Sequence, residues 1–140
     1  MVQIIAGEKG KGKTKVLLDK VNTSVLTASG NIVYLDKSQQ HMHELSNKVR
    51  LINVSEYPIT DLDEFLGFIC GIISQDYDLQ EMYLDSFLTI ANISTDEEIA
   101  HAVEKLDAIG EKYNVLFVLS VSRDGNKLPD CAKAKLVVSL

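Results

Sequence analysis

The sequence predicts a single α/β domain, a mostly parallel sheet of five to six strands between two layers of helices. Three observations carry that reading. Short runs rich in β-branched residues recur along the chain, amphipathic stretches of helical length separate them, and 140 residues suit one domain with a real core. Strands alternating with helices require crossovers, which are right-handed and make neighbouring strands parallel. No internal repeat, low-complexity tract or linker interrupts the pattern.

The elements follow in order. Residues 2–6, VQIIA, are an apolar run of strand length. From Thr14, the apolar positions Val16, Leu17, Val21 and Val25 recur at helical spacing, and Gly30 closes the segment. NIVYLD (31–36) is a strand by its β-branched and aromatic content, and VRLINV (49–54) is a weaker, shorter one. A helix starts near Thr60, which can cap it. Asp61, Asp63 and Glu64 suit its positive end, while Leu62, Phe65, Leu66, Ile69, Ile72 and Ile73 form one apolar face. MYLD (82–85) is a short strand. STDEE (94–98) reads as a capping box between Ser94 and Glu97, opening a helix on Ile99, Ala102, Val103, Leu106 and Ile109. NVLFVLSVS (114–122) is the strongest strand, apolar enough for burial on both faces, and AKLVVSL (134–140) is the last.

Composition narrows the function. A net charge of −6 and a pI near 5.0 exclude a broad nucleic-acid-binding face. No apolar run approaches the length of a membrane span, and MVQIIAGEKG lacks a basic start and a small-residue cleavage site. Cys70 and Cys131 stand alone, without CxxC spacing, and read as small buried hydrophobes. The expected setting is a reduced cytoplasm.

Residues 7–14, GEKGKGKT, fit the pattern G-x-x-x-x-G-K-[ST], a P-loop or Walker A motif. A strand runs into the stretch and a helix runs out, as the mechanism needs. Glycines let the backbone curl so that successive N–H groups face inward at a helix N-terminus, forming an anion nest. Lys13 would reach the β- and γ-phosphates, and the Thr14 hydroxyl would sit on Mg²⁺. Lys9, Lys11, Lys13 and Lys15 concentrate positive charge in an otherwise acidic chain, as polyphosphate binding favours. Gly7, Glu8, Lys9, Gly10, Lys11, Gly12, Lys13, Thr14 and Lys15 are therefore the expected nucleotide contacts, with ATP and Mg²⁺ as ligands.

Beyond the loop, the order of features resembles the RecA-like ATPase core. In that family a strand ending in a YID-type motif follows, here VYLD (33–36). An aspartate-terminated strand comes next, here MYLDSF (82–87). An apolar strand ending in a polar sensor then appears, here FVLSVSR (117–123), and LPDCAKAKLVVSL (128–140) resembles the final segment. The resemblance covers nearly the whole chain and implies a three-layer P-loop fold. It makes Asp85 the Walker B aspartate, holding Mg²⁺ through water, and places Ser122 at the sensor position beside the γ-phosphate. It also implies a nucleotide held between subunits, hence a homo-oligomer or larger assembly.

One family feature is missing. RecA-like enzymes use a carboxylate to polarise the attacking water, and the two positions that supply it are Ser38 and Ser86 here. Asp36 and Glu56 are the substitutes by position, Asp36 the better one if its strand lies beside the loop strand. Turnover is expected to be weak, and a nucleotide-sensing module without turnover stays open. A small-molecule kinase is disfavoured because Arg50 and Arg123 are the only arginines. A GTPase is disfavoured because the aspartate of NKLPD (126–130) falls one place late. The histidines and glutamate of HMHE (41–44), with His101, make a weak metal candidate.

Overall fold

Six parallel strands form one sheet in the computed structural model, which describes residues 1–140. They are β1 (Val2–Ala6), β2 (Asn31–Asp36), β3 (Val49–Asn53), β4 (Leu79–Leu84), β5 (Leu116–Val121) and β6 (Leu136–Ser139), ordered β3-β2-β4-β5-β1-β6. Five helices connect them: α1 (Lys13–Ser24), α2 (Leu62–Ser74), α3 (Phe87–Ile90), α4 (Asp96–Tyr113) and α5 (Asp130–Lys133). The predicted α/β class, with a parallel sheet between helical layers, is observed.

The two faces of the sheet are covered unequally. Alternate strand residues Ile4, Val33, Leu35, Met82, Leu84, Phe117 and Leu119 face α2 through α5 and form the main core. On the other face Ile5, Ile32, Tyr34, Tyr83 and Val118 meet α1 alone, through Leu17, Leu18 and Val21. Tyr34 and Tyr83, paired across β2 and β4, stack with ring centroids 6.2 Å apart.

Three local expectations shift. Asp61, not Thr60, caps α2, accepting from the Glu64 amide at 2.8 Å, while the Thr60 hydroxyl donates to the Glu64 carboxylate. The capping box of α4 is Thr95 with Glu98, one residue later than Ser94 with Glu97. Cys70 is exposed rather than buried, because it falls just outside the helix face set by Leu66, Ile69 and Ile73, and Cys131 is half-buried.

A larger correction concerns β2. The crossover through α1 carries the chain past two positions of the sheet, so β4 and β5 separate β2 from β1. Asp36 therefore ends a strand beside Asp85, not beside the loop strand. The chain leaves β1 toward β2 on one side, whereas β6 joins β1 on the other. That reversal opens a crevice at the carboxyl ends of the strands, where ligands bind in sheets of this kind.

Candidate functional site

The loop after β1 is shaped by its glycines. Gly10 and Gly12 have φ of 86° and 92°, a region L side chains rarely enter. A Cβ on Gly7 would lie 3.0 Å from the Leu140 Cβ, a contact so tight that Leu140 would have to give way by a few tenths of an ångström. Gly12 is the N-cap of α1 and offers no side chain to the first-turn amides. Those amides stay available to an anion.

Lys13 opens α1 and is only 8% exposed. Its ammonium folds back to donate to the Glu8 carbonyl at 3.1 Å. Burial lowers its pKa from the ordinary lysine value, and the Asp85 carboxylate opposes that shift. Thr14, one residue on, donates from Oγ1 to Asp85 Oδ1 at 3.3 Å. Residues 71 positions apart are thus joined where the sequence places a magnesium site.

Asp85 follows β4 and is 2% exposed. Its Oδ1 accepts from the Ser120 hydroxyl at 2.6 Å and the Ser86 amide at 2.9 Å. Its Oδ2 accepts from the Tyr34 hydroxyl at 2.7 Å. Burial first, and then the Asp85 charge, push the Tyr34 pKa far above the ordinary tyrosine value, so this hydroxyl remains a donor. Ser86 adopts φ 53° and ψ 47°, a conformation costly for a non-glycine residue. Its amide donates to both Asp85 and Ser120, which holds the turn in place. Magnesium takes one or two carboxylates beside phosphate oxygens and water. The Thr14 hydroxyl and the Asp85 carboxylate fit that donor set.

These groups surround a cleft of about 350 Å³ with no hydrophobic residue in its lining. One wall is Lys9, Gly10, Gly12, Lys13 and Thr14. Asp85, Ser86, Thr89, Ser120 and Ser122 come from the chain after and within the ends of β4 and β5. Lys37, after β2, lies at the lining strand end farthest from the loop, the far wall. Gly7, Glu8, Lys11 and Lys15 shape or flank the loop without lining the cleft. A larger hollow of about 640 Å³ lies elsewhere, between β3 and α2, with Ile52, Tyr57 and Phe68 among its walls.

Ser122 lines the cleft but is exposed, and the side chain that grips Asp85 is Ser120. The sequence carried a signal for it, a lone hydroxyl inside an otherwise apolar strand. Lys37 was likewise hidden beside the more conspicuous Asp36. Asp36 itself is 2% exposed and does not line the cleft. Its Oδ1 accepts from the Lys37 amide at 2.7 Å, and its Oδ2 has no partner. Burial and then the nearby Asp85 raise its pKa above the ordinary carboxylate value.

The remaining candidates are placed plainly. Glu56 sits exposed in a short 3-10 turn away from the cleft. Arg123 pairs with Asp96 and donates to the Ser94 carbonyl, tying the end of β5 to the start of α4. His41 pairs with Glu44 at 2.9 Å. No three His, Cys, Asp or Glu side chains come together as a metal-binding group, in HMHE or elsewhere. No helix is long and apolar enough to cross a membrane. No protein-family model and no curated protein matches the chain.

Proposed function

We propose that the chain is a Mg²⁺-dependent ATP-binding protein of the RecA-like P-loop class that turns ATP over slowly at most and works within an assembly. The observation that carries this reading is the meeting of Lys13, Thr14 and Asp85 in one polar cleft at the carboxyl ends of the strands. The order of strands, loop and helices along the chain supports the RecA-like assignment. Inward amides at the start of α1 would hold the phosphates, and Lys13 would leave the Glu8 carbonyl for them. Bound Mg²⁺ would supply charge neutralisation of the phosphate oxygens. The hydroxyls of Ser120 and Tyr34, which donate to Asp85, would hold its carboxylate in place for the ion.

A second reading, nucleotide sensing without turnover, is favoured by one observation. The only carboxylate lining the cleft is Asp85, which is already committed to four donors, and Asp36 is sealed away. No free carboxylate stands ready to orient water.

Thermal unfolding with and without Mg·ATP, for wild type beside Lys13→Ala, tests the site. Ligand at a hundred times its Kd adds about 2.7 kcal/mol to the folded state. With about 2.1 cal/mol/K of unfolding entropy per residue, that is a rise of roughly 9 °C for 140 residues. The rise is expected in wild type only; no rise sinks the proposal. Steady phosphate release from wild type that Lys13→Ala abolishes separates the slow ATPase from the sensor.

A further inference from the structure

We propose that Lys37 is the residue by which the cleft distinguishes a nucleoside triphosphate from a diphosphate, its ammonium meeting the terminal phosphate from the wall opposite the loop. The inference rests on the nucleotide-site reading and goes beyond it, because no motif assigns Lys37 a role.

Strand order sets the direction of a bound phosphate chain. Across the floor of the cleft run β1, β5, β4 and β2, about 4.8 Å apart at each step. The anion nest belongs to the loop after β1. Thr14, at the start of α1, already reaches across to Asp85 at the end of β4. A phosphate chain anchored on the amides between Gly10 and Thr14 therefore points toward β4, and whatever extends beyond the Thr14–Asp85 contact faces β2. Lys37 is the first residue beyond β2, whose Leu35 pairs with Leu84 of β4. It stands one strand past Asp85, on the cleft's far wall. A third phosphate, the one farthest along that direction, would be the nearest to Lys37.

The chemistry of Lys37 suits that contact. Its backbone amide is tied to Asp36 Oδ1 at 2.7 Å, which fixes the root of the side chain. Its ammonium is exposed and enters no salt bridge, in contrast to Lys135, which is bound to Asp107. Asp85 is the one carboxylate lining the cleft, and four donors already occupy it, so Lys37 is not neutralised there. An ammonium on a phosphate oxygen stabilises the bound triphosphate and cannot act as a base toward water. Where the RecA pattern offers a carboxylate beside the terminal phosphate, this chain offers a cation: a contact suited to reading the phosphate, not to cleaving it.

Isothermal titration of Mg·ATP and Mg·ADP into wild type, Lys37→Ala, Lys37→Arg and Lys13→Ala tests the assignment. Removing one charge-assisted hydrogen bond should weaken Mg·ATP binding roughly ten- to a hundredfold. Mg·ADP binding by Lys37→Ala should stay within about twofold of wild type. Lys37→Arg, which keeps the charge, should retain most of the preference, and Lys13→Ala should lose both nucleotides together. The unfolding temperature of ligand-free Lys37→Ala should equal that of wild type, since the side chain is exposed. If Lys37→Ala weakens both nucleotides equally, or neither, while wild type binds them, the role of Lys37 is overturned and the nucleotide site stands. If wild type binds neither nucleotide, the site reading fails, and this inference with it.

Discussion

Asp85 and Asp36 end neighbouring parallel strands, and each is 2% exposed. Their surroundings differ in one respect. Asp85 receives hydrogen bonds from Thr14, Tyr34, Ser86 and Ser120, while Asp36 receives one from the Lys37 amide and leaves Oδ2 unpartnered. Burial alone disfavours a carboxylate's charge, and Asp36 shows that effect, its pKa raised first by desolvation and then by Asp85. Donors aimed at the anion oppose it. Two aspartates at equal depth thus differ in the donors around them, not in burial. Asp85 lines the cleft within that donor cage, and Asp36 packs behind it.

Asp85→Ala breaks this contrast most visibly. It removes the shared acceptor of Tyr34, Ser120 and the Ser86 amide at once. The Ser86 amide keeps Ser120 Oγ, but the Tyr34 and Ser120 hydroxyls are orphaned. At about 1–3 kcal/mol for each buried donor, a loss of roughly 2 kcal/mol or more is expected in urea unfolding. Nucleotide binding should lose its dependence on Mg²⁺ in the same variant. An Asp85→Ala protein as stable as wild type, with Mg²⁺ dependence intact, would refute the role given to the cage.

How much of this is legible in the sequence differs residue by residue. The loop is readable because the motif fixes residue types at fixed spacing, and Gly12 takes the positive φ that the turn requires. The strands are readable because burial on both faces leaves long apolar runs, as in 114–122. Strand order is not, because nothing in a local pattern says how far a crossover carries the chain. That is why the sequence alone favours β2 beside β1 and ranks Asp36 above Glu56, where the sheet puts β4 and β5 between β2 and β1. The hydroxyl that meets Asp85 lies two residues before Ser122 for a related reason. Ser120 and Ser122 point to the same face of a strand, and only the level reached by Asp85 on β4 decides which one meets it. Glu81 teaches the reverse lesson. A charge beside MYLD weakens that strand on paper, yet the hydroxyls of Ser24 and Tyr83 satisfy it in the core.

Tyr34→Phe sharpens the comparison by removing a single donor. The ring stays stacked on Tyr83 and fully buried, so packing is kept. A hydrogen bond to a charged partner contributes about 1.5–3 kcal/mol, and stability should fall by that amount. Mg²⁺-dependent nucleotide binding should weaken without disappearing, because Ser120, Ser86 and Thr14 still orient Oδ1. A Tyr34→Phe protein that loses binding as completely as Asp85→Ala would show that orientation through Oδ2, not the carboxylate's charge, governs the site.

Asp36→Asn gives the smallest effect and the opposite sign. The amide oxygen can still accept from Lys37, while the buried charge and its repulsion from Asp85 are gone. The wild-type group has a folded pKa above its unfolded one, so the folded state holds the proton more tightly. Its contribution to stability is fully present below the unfolded pKa and is lost as pH rises through the folded pKa. The carboxamide of the variant has no proton to lose in this range. The stability of Asp36→Asn relative to wild type should therefore climb as pH rises from the ordinary aspartate range, near about pH 4, through the raised folded pKa, and level off above it. A difference that stays flat across that range would mean Asp36 titrates normally and is reached by water. Phosphate release, where it occurs, should be unchanged in this variant; a drop would bring Asp36 into the cleft, and the contrast between the two aspartates would then lie in timing during catalysis instead of position in the fold.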